Sequence, residues 1–194
     1  MDNNVSFRVH KDELADAAAW VARSLPTKST QPVLRAVVIT ADDNGLEFAG
    51  FDYEVSTRVR IGAEVNDPGR VAVAGKLLAD IVGTMPNDAI EVSTDSKVMT
   101  LKARSSRFEL PLIALDDYPQ LPHLPKVTGR ISPAALTGAV TQVASAAGRD
   151  DTLPMLTGIH LEIDGENVTL TATDRFRLAP VSYTHLRAHE TRHD

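Results

Sequence analysis

The stretch that decides the fold runs from Pro32 to Asp52, PVLRAVVITADDNGLEFAGFD, because it returns 122 positions later. The second occurrence, Pro154 to Asp174, reads PMLTGIHLEIDGENVTLTATD and needs no gap to match the first. Identical or conservative pairs continue upstream and fill the repeat: Leu14/Leu136, Ala17/Ala139, Val21/Val143, Val37/Ile159, Ile39/Leu161, Phe48/Leu170. A repeat of this length is the size of a domain and far exceeds a solenoid repeat, so it predicts a duplicated domain.

The periodicity of apolar residues predicts the elements of the first copy. Residues 11–25 and 75–85 have helical spacing, and alternating residues favour strands at 4–9, 33–41, 45–51, 54–61, 70–74, 89–94, 97–103 and 106–112. Asp42-Asp43-Asn44-Gly45 and Asn66-Asp67-Pro68-Gly69 are expected turns. The pattern predicts an α+β domain in which two helices pack on one face of a mostly antiparallel sheet.

A proline-rich connector predicts the domain boundary. Prolines stand at 119, 122 and 125 within residues 114–128, and Ser132 with Pro133 restarts a helix. We expect residues 1–122 to form a complete first domain and 123–179 the N-terminal half of a second. The alternation of apolar and polar residues is expected to stop at Ala179. Residues 180–194 are therefore expected to be a tail outside the fold, and they resemble translated vector or adapter sequence.

Composition narrows the function classes. The chain is 43% hydrophobic and 24% charged, carries a net charge of −6 and has no cysteine. We expect neither a signal peptide nor a membrane span, and no thiolate chemistry. The negative charge argues against coating nucleic acid by bulk charge, although a local basic surface remains compatible with it.

The terminal His189-Glu190-Thr191-Arg192-His193 matches H-E-x-x-H, the spacing of a zinc-dependent hydrolase. No third ligand can follow it and no apolar stripe flanks it, so we expect no metal, no cofactor and no catalysis. A zinc hydrolase remains the alternative, and a plain protein-interaction domain is a third. Asp52 and Asp174, which recur at equivalent positions, are interpreted as structural acceptors for turn amides.

Three basic residues are candidate phosphate ligands by position. Lys28 and Arg149 lie in the loops after the first helix of each copy, and Lys76 opens the second helix. If the helices line one surface, these three residues share it.

The chain resembles the bacterial β sliding clamp, subunit β of DNA polymerase III. The resemblance rests on QPVLRAVVITADDNGLEFAGFDYEV, SSRFELPLIALDDYPQLP, AAGRDDTLPMLTGIHLEI and TATDRFRLA, in order, and covers residues 4 to about 179. It implies the DNA-clamp fold with tandem domains, a cytoplasmic homodimeric ring around duplex DNA, and a noncatalytic role as processivity factor. It also implies that the rest of the second domain and a third domain are missing, so that this fragment closes no ring.

The resemblance further implies two sets of site residues. Lys28, Lys76 and Arg149 match DNA-facing positions. A pocket for short apolar peptides of the polymerase, the clamp loader and repair proteins matches Leu156, Thr173, Arg175, Phe176, Arg177 and Leu178.

Overall fold

A computed structural model describes residues 4–29, 31–116, 118–127, 129–184 and 187–188. The chain divides into two compact units, Met1–His123 and Leu124–Asp194. None of the helices in the described ranges has the length and apolar composition needed to cross a membrane.

The first unit contains two helices and nine strands within the described residues. In chain order these are β1 (Ser6–His10), α1 (Lys11–Ser24), β2 (Ala36–Asp42), β3 (Gly45–Phe51), β4 (Ser56–Ile61), β5 (Glu64–Asp67), β6 (Gly69–Ala74), α2 (Gly75–Thr84), β7 (Ala89–Thr94), β8 (Val98–Ala103) and β9 (Ser106–Pro111). A turn of 3-10 helix, Pro32–Arg35, precedes β2. The strands form two antiparallel sheets, β5-β1-β7-β8-β9 and β4-β3-β2-β6. The predicted α+β architecture is confirmed.

One apolar core joins both helices to both sheets. It includes Leu14 and Val21 of α1, Leu78 of α2, and Phe48 and Leu101 from the two sheets, all fully buried. The alanine-rich face of α1, Ala17 and Ala18, is part of the same core. Small residues there let the helix approach the sheets closely, as the pattern of the sequence implies.

Strand β5 was not expected. Residues 66–69 were predicted as a turn, but Asn66 and Asp67 end β5 and Gly69 begins β6. Because β5 pairs with β1 and β6 pairs with β2, the chain changes sheets at Pro68. Proline has no backbone N–H, so it leaves no donor unpaired at this junction.

The first part of the connector belongs to the first unit. Successive strand residues face opposite sides of a sheet, so Val37 faces the main core while Ala36 and Val38 face away from it. Tyr118 is buried against this outer face, and Arg58 Nη2 donates a hydrogen bond to the Pro122 carbonyl at 2.6 Å. The outer face of this sheet is therefore covered by the chain's own connector.

The second unit repeats the beginning of the first. Its elements are β10 (Gly129–Arg130), α3 (Pro133–Ala144), a 3-10 turn (Pro154–Leu156), β11 (His160–Asp164), β12 (Asn167–Thr173), β13 (Leu178–Thr184) and β14 (Arg187–Ala188). Ser132 stands at the N-cap of α3 and Pro133 at its first position, as expected. Strands β11-β12-β13 form an antiparallel sheet whose buried face packs on α3, and β10 pairs with β14.

The expected end of the fold at Ala179 is wrong. Strand β13 pairs with β12 in unbroken register from Thr173↔Leu178 to Asn167↔Thr184. Val181 and Tyr183 continue the alternation and pack on the core of the second unit. Pro180 is compatible with this because β13 is an edge strand, where a missing N–H costs no ladder bond. Residues 185, 186 and 189–194, with the H-E-x-x-H segment, lie outside the described residues.

Candidate nucleic-acid interface and peptide pocket

Lys28 and Lys76 are brought to one concave surface of the first unit. Lys28 lies in the loop after α1 and lines a surface cavity with Thr27, Ser29 and Arg35. Lys76 is the second residue of α2 and lines a neighbouring cavity of about 380 Å³, which also includes Thr27 and Arg35. The two cavities share Thr27 and Arg35, so the three cations surround one continuous depression.

Arg35 was missed in the sequence. It ends the 3-10 turn before β2, is exposed, and lines both cavities. None of Lys28, Arg35 and Lys76 makes an ion pair with another described residue, whereas Arg60 and Arg104 are each paired with a carboxylate. Exposed cations without a carboxylate of their own suit an external anion such as a phosphate.

Arg149 belongs to the second unit. It is exposed in the loop between α3 and the 3-10 turn. The preceding residue, Gly148, donates its N–H to the Leu156 carbonyl at 2.7 Å, and Asp150 Oδ1 accepts the Thr152 N–H at 3.0 Å. The loop is thus held at both sides of Arg149. Its alignment with Lys28 and Lys76 stays a prediction.

A carboxylate organises the turn that carries most of the predicted peptide pocket. Asp174 Oδ1 accepts the backbone N–H groups of Phe176 at 3.0 Å and Arg177 at 2.8 Å. Asp174 Oδ2 also receives the Arg177 guanidinium, with Nη2 at 2.9 Å. Arg175 adopts a left-handed φ of 79°. The turn holds Phe176 outward with 88% of its surface exposed, next to an exposed Leu178.

The remaining predicted pocket residues lie beside this turn or on another element. Thr173 is half-buried and its hydroxyl donates to the Arg177 carbonyl at 2.6 Å. Leu156 is half-buried at the end of the 3-10 turn, a separate element. Its neighbour Met155 is strongly exposed and was not predicted as a site residue. The equivalent residue in the first copy of the repeat, Val33, is half-buried. That all six residues form one binding pocket stays a prediction.

The same turn occurs in the first unit, 122 residues earlier. Asp52 Oδ1 accepts the N–H groups of Glu54 at 3.0 Å and Val55 at 2.7 Å, and Tyr53 has a φ of 74°. The repeat therefore extends to hydrogen bonds and backbone conformation. The interpretation of both aspartates as structural acceptors is confirmed.

The turn at Asp174 will lose order in acid. The Arg177 N–H and guanidinium hold the pKa of Asp174 below its ordinary 3.8. A lowered folded pKa means that the carboxylate stabilises the turn fully above about pH 3.8 and progressively less as the pH falls through the lower folded value. The Arg177 amide resonance, followed by NMR against pH, should therefore titrate below 3.8.

Asp174→Asn is the matched control, because its side-chain oxygen can still accept the amide bonds while it cannot titrate. Asp174→Ala removes the acceptor and should raise amide exchange at Phe176 and Arg177 at all pH values. A midpoint at or above pH 3.8 for the Arg177 amide would contradict the assignment.

Each described unit is built from antiparallel sheet and helix, in a duplicated order, and one unit presents a basic depression. This combination defines a protein of tandem, duplicated α+β domains with a basic surface on the first. The profile of the DNA polymerase III beta subunit N-terminal domain matches residues 5–122, and that of its central domain matches residues 130–194. The chain belongs to the DNA polymerase III beta subunit family, the β sliding clamps.

Individual relatives agree with this assignment. The beta sliding clamp of Streptomyces coelicolor is 48% identical over 175 residues, covering 90% of this chain and 46% of the relative. The beta sliding clamp of Micrococcus luteus is 45% identical, covering 90% of this chain and 56% of the relative. The crystal structure of the Pseudomonas aeruginosa clamp bound to griselimycin superposes with a TM-score of 0.82 at 28% identity, covering 95% of this chain and 51% of that one. The chain spans about half the length of the relatives it matches.

Proposed function

We propose that this chain is part of a DNA sliding clamp. The full-length protein would be a homodimeric ring that encircles duplex DNA in the bacterial cytoplasm. It would act without catalysis, as the processivity factor that tethers DNA polymerase III. The observation that carries the proposal is the repeated domain with a basic depression formed by Lys28, Arg35 and Lys76. The names of the relatives support it.

The chemistry of the depression fits sliding. Lysine and arginine side chains contact phosphates without reading bases, so the interaction is independent of sequence. A ring that is held topologically needs few such contacts, and weak contacts let the protein move along the duplex. A chain with a net charge of −6 is compatible with this mode because only the local surface must be basic. Arg149 would add a phosphate contact from the second unit.

Partner proteins would dock on the second unit. We place the peptide site at Leu156, Thr173, Arg175, Phe176, Arg177 and Leu178, where polymerase, clamp loader and other clamp-binding proteins would insert short apolar peptides. The supporting observation is that the turn ordered by Asp174 presents Phe176 and Leu178 to solvent. Exposed apolar side chains on an ordered turn are typical of an interaction site.

The DNA contact can be tested by salt dependence. Neutralising Lys28, Arg35 and Lys76 to alanine should weaken binding to a fluorescent duplex at low salt. Each lost phosphate contact should reduce the slope of log K against log salt by about 0.9, so the triple variant should lose roughly 2.7. The loss should be the same on two duplexes of unrelated sequence.

Lys102→Ala is the matched control, since Lys102 is an exposed lysine on β8 that lines neither cavity. An unchanged slope in the triple variant, or a loss of about 0.9 in the single-charge control, would refute the assignment of the depression to DNA. Arg35→Ala alone tests the residue that the sequence did not reveal.

A further inference from the structure

An apolar slot lies inside the basic depression of the first unit. It is the cavity of about 380 Å³ beside Lys76, and most of its lining is apolar: Leu25, Pro26, Pro32, Leu77 and Ile113. Leu25 is buried, whereas Leu77 is 44% exposed. All of these residues belong to the first unit, and each lies within the described ranges. The depression therefore combines an apolar interior with a rim of cations.

Packed elements of the first unit hold the slot in place. Leu25 follows the last residue of α1, and Leu77 is the third residue of α2. Gly75 lets the two elements meet, because a Cβ at that position would collide with the Leu25 side chain. The Ile113 backbone N–H donates to the Ala72 carbonyl at 2.8 Å, which ties this residue to the four-stranded sheet. The lining is therefore preformed, as in most ligand pockets.

A DNA duplex uses the rim of the depression but does not fill the slot. Its phosphates are charged, and the apolar faces of its bases are stacked inside the helix. The volume of the slot is near the lower end of the roughly 300–1,000 Å³ typical of ligand pockets, so it suits one large apolar side chain. A ligand that uses both the rim and the slot must be anionic and must also carry an apolar group.

We propose that the depression also binds a short acidic peptide of a partner protein, which inserts one apolar side chain such as leucine into the slot. Aspartate and glutamate on both sides of that residue pair with Lys28, Arg35 and Lys76. None of these three cations has a carboxylate partner among the described residues, so the charge of the peptide complements an unpaired surface. This site lies on the first unit and is distinct from the peptide site proposed on the second.

The test uses the full chain, no DNA, and a short fluorescein-labelled peptide in which one leucine is flanked by aspartate and glutamate. Fluorescence anisotropy at low salt gives the affinity. Replacing the leucine of the peptide by serine should weaken binding by at least about tenfold, the equivalent of about 1.4 kcal/mol, because the burial of an apolar side chain is lost. Replacing its acids by asparagine and glutamine should weaken binding as strongly and remove its dependence on salt.

Leu77→Ala tests the slot from the side of the protein. Because Leu77 is exposed, this variant should stay folded, which circular dichroism and the emission of Trp20 check. It should weaken peptide binding by at least about fivefold, since it removes apolar surface from the slot. Val55→Ala is the matched control, because Val55 is an exposed apolar residue of the same unit that lines neither cavity.

The variant also separates this proposal from the DNA contact. Leu77 carries no charge, so Leu77→Ala should leave the salt dependence of duplex binding unchanged. Failure of the peptide site and failure of the proposed function are therefore distinguishable.

Three results would overturn the peptide site. The first is the absence of peptide binding. The second is equal affinity for the leucine and serine peptides, or no effect of Leu77→Ala, because the rim would then bind any polyanion. The third is a short oligothymidylate that binds where the peptide does not and loses affinity in Leu77→Ala, which would assign the slot to an unstacked base.

Discussion

Phe48→Ala will lower the unfolding free energy of the first unit by about 3–5 kcal/mol, the usual cost of removing a buried phenylalanine. Phe48 is fully buried on β3, between Ile39 of β2 and Val59 of β4 in the strand register. It belongs to a core built from both helices and both sheets, so the cavity left behind cannot collapse without moving several elements. A loss of this size is comparable to the whole stability of many domains.

The measurement can be confined to the first unit. The chain has a single tryptophan, Trp20, which lies on α1 and is half-exposed beside the Arg23 guanidinium. Its fluorescence in a urea titration therefore reports the unfolding of Met1–His123 alone. Val55→Ala, a substitution at an exposed site, is the control and should change the free energy of unfolding by less than about 0.5 kcal/mol.

The equivalent substitution in the second unit separates the two units. Leu170 occupies the position of Phe48 in the repeat and is buried on β12 in a small cluster with Ala139, Val143 and Val168. Leu170→Ala should destabilise that unit by about 2 kcal/mol, the low end of the range, because a small and partly open core can collapse into the space. The Trp20 transition should not move. A shift of that transition by Leu170→Ala would contradict the division into two units, and the absence of a shift in Phe48→Ala would contradict the role of Phe48 in the core of the first unit.

Local sequence patterns were sufficient to predict most of the helices and strands. The helices α1 and α2 begin and end close to their predicted bounds because apolar spacing marks them in the sequence, and α3 begins at Pro133 as predicted. The β2–β3 hairpin is confirmed as well. Its Gly45 has a φ of 104°, and a Cβ there would lie 2.3 Å from the Ile61 carbonyl oxygen, so only glycine fits.

The features that were missed depend on distant partners. Strand β5 is four residues long, and its sequence has no apolar alternation that would predict its pairing with β1. The alternation of apolar and polar residues was expected to stop at Ala179, but β12 pairs with residues 178–184 and keeps them in the sheet. A single sequence shows propensity, while the pairing partner decides which weak strand forms.

The residues of the candidate sites also divide into those that the sequence predicts and those that only the fold reveals. Lys28 and Lys76 could be found because the repeat and the helix ends mark their positions. Arg35 could not, since it sits at a repeat position occupied by Thr157 in the second copy and becomes part of the depression only through the folding of the 3-10 turn. The turns at Asp52 and Asp174 were predicted correctly because their signal is local. The grouping of Leu156 with Phe176 and Leu178 rests on two separate elements and remains to be tested by peptide binding.

Limited digestion will cut the chain just after the first unit. The sequence alone places the end of a resistant fragment between Tyr118 and Pro125, anywhere in the connector. The structure narrows this region, since Tyr118 is buried and the Pro122 carbonyl is bonded to Arg58, whereas Leu124 is 70% exposed and Val127 is also exposed. Thermolysin, which cuts before large apolar residues that are not followed by proline, should cleave at the exposed Val127 and spare Leu115, which packs on the outer face of the sheet. Mass spectrometry of the product gives the end directly.

Tyr118→Ala will move that cleavage upstream. Its ring covers Ala36, Val38 and Ala72 on the outer face of the four-stranded sheet, and its loss should cost about 2–3 kcal/mol and release the connector. Thermolysin should then cut at Leu115 as well. Tyr118→Phe keeps the ring and should digest like the parent, as should Tyr53→Ala at an exposed site.

The same ring gives the connector a dependence on alkaline pH. Burial raises the pKa of Tyr118 above its ordinary 10.0. A raised folded pKa means that the contribution of the neutral phenol is fully present below about pH 10 and is lost as the pH rises through the folded value. Cleavage at Leu115 should therefore appear in the parent chain above pH 10 and not in Tyr118→Phe. If the full chain resists thermolysin as one unit, or if Tyr118→Ala leaves the site of cleavage unchanged, then the connector is not held to the first unit by this ring.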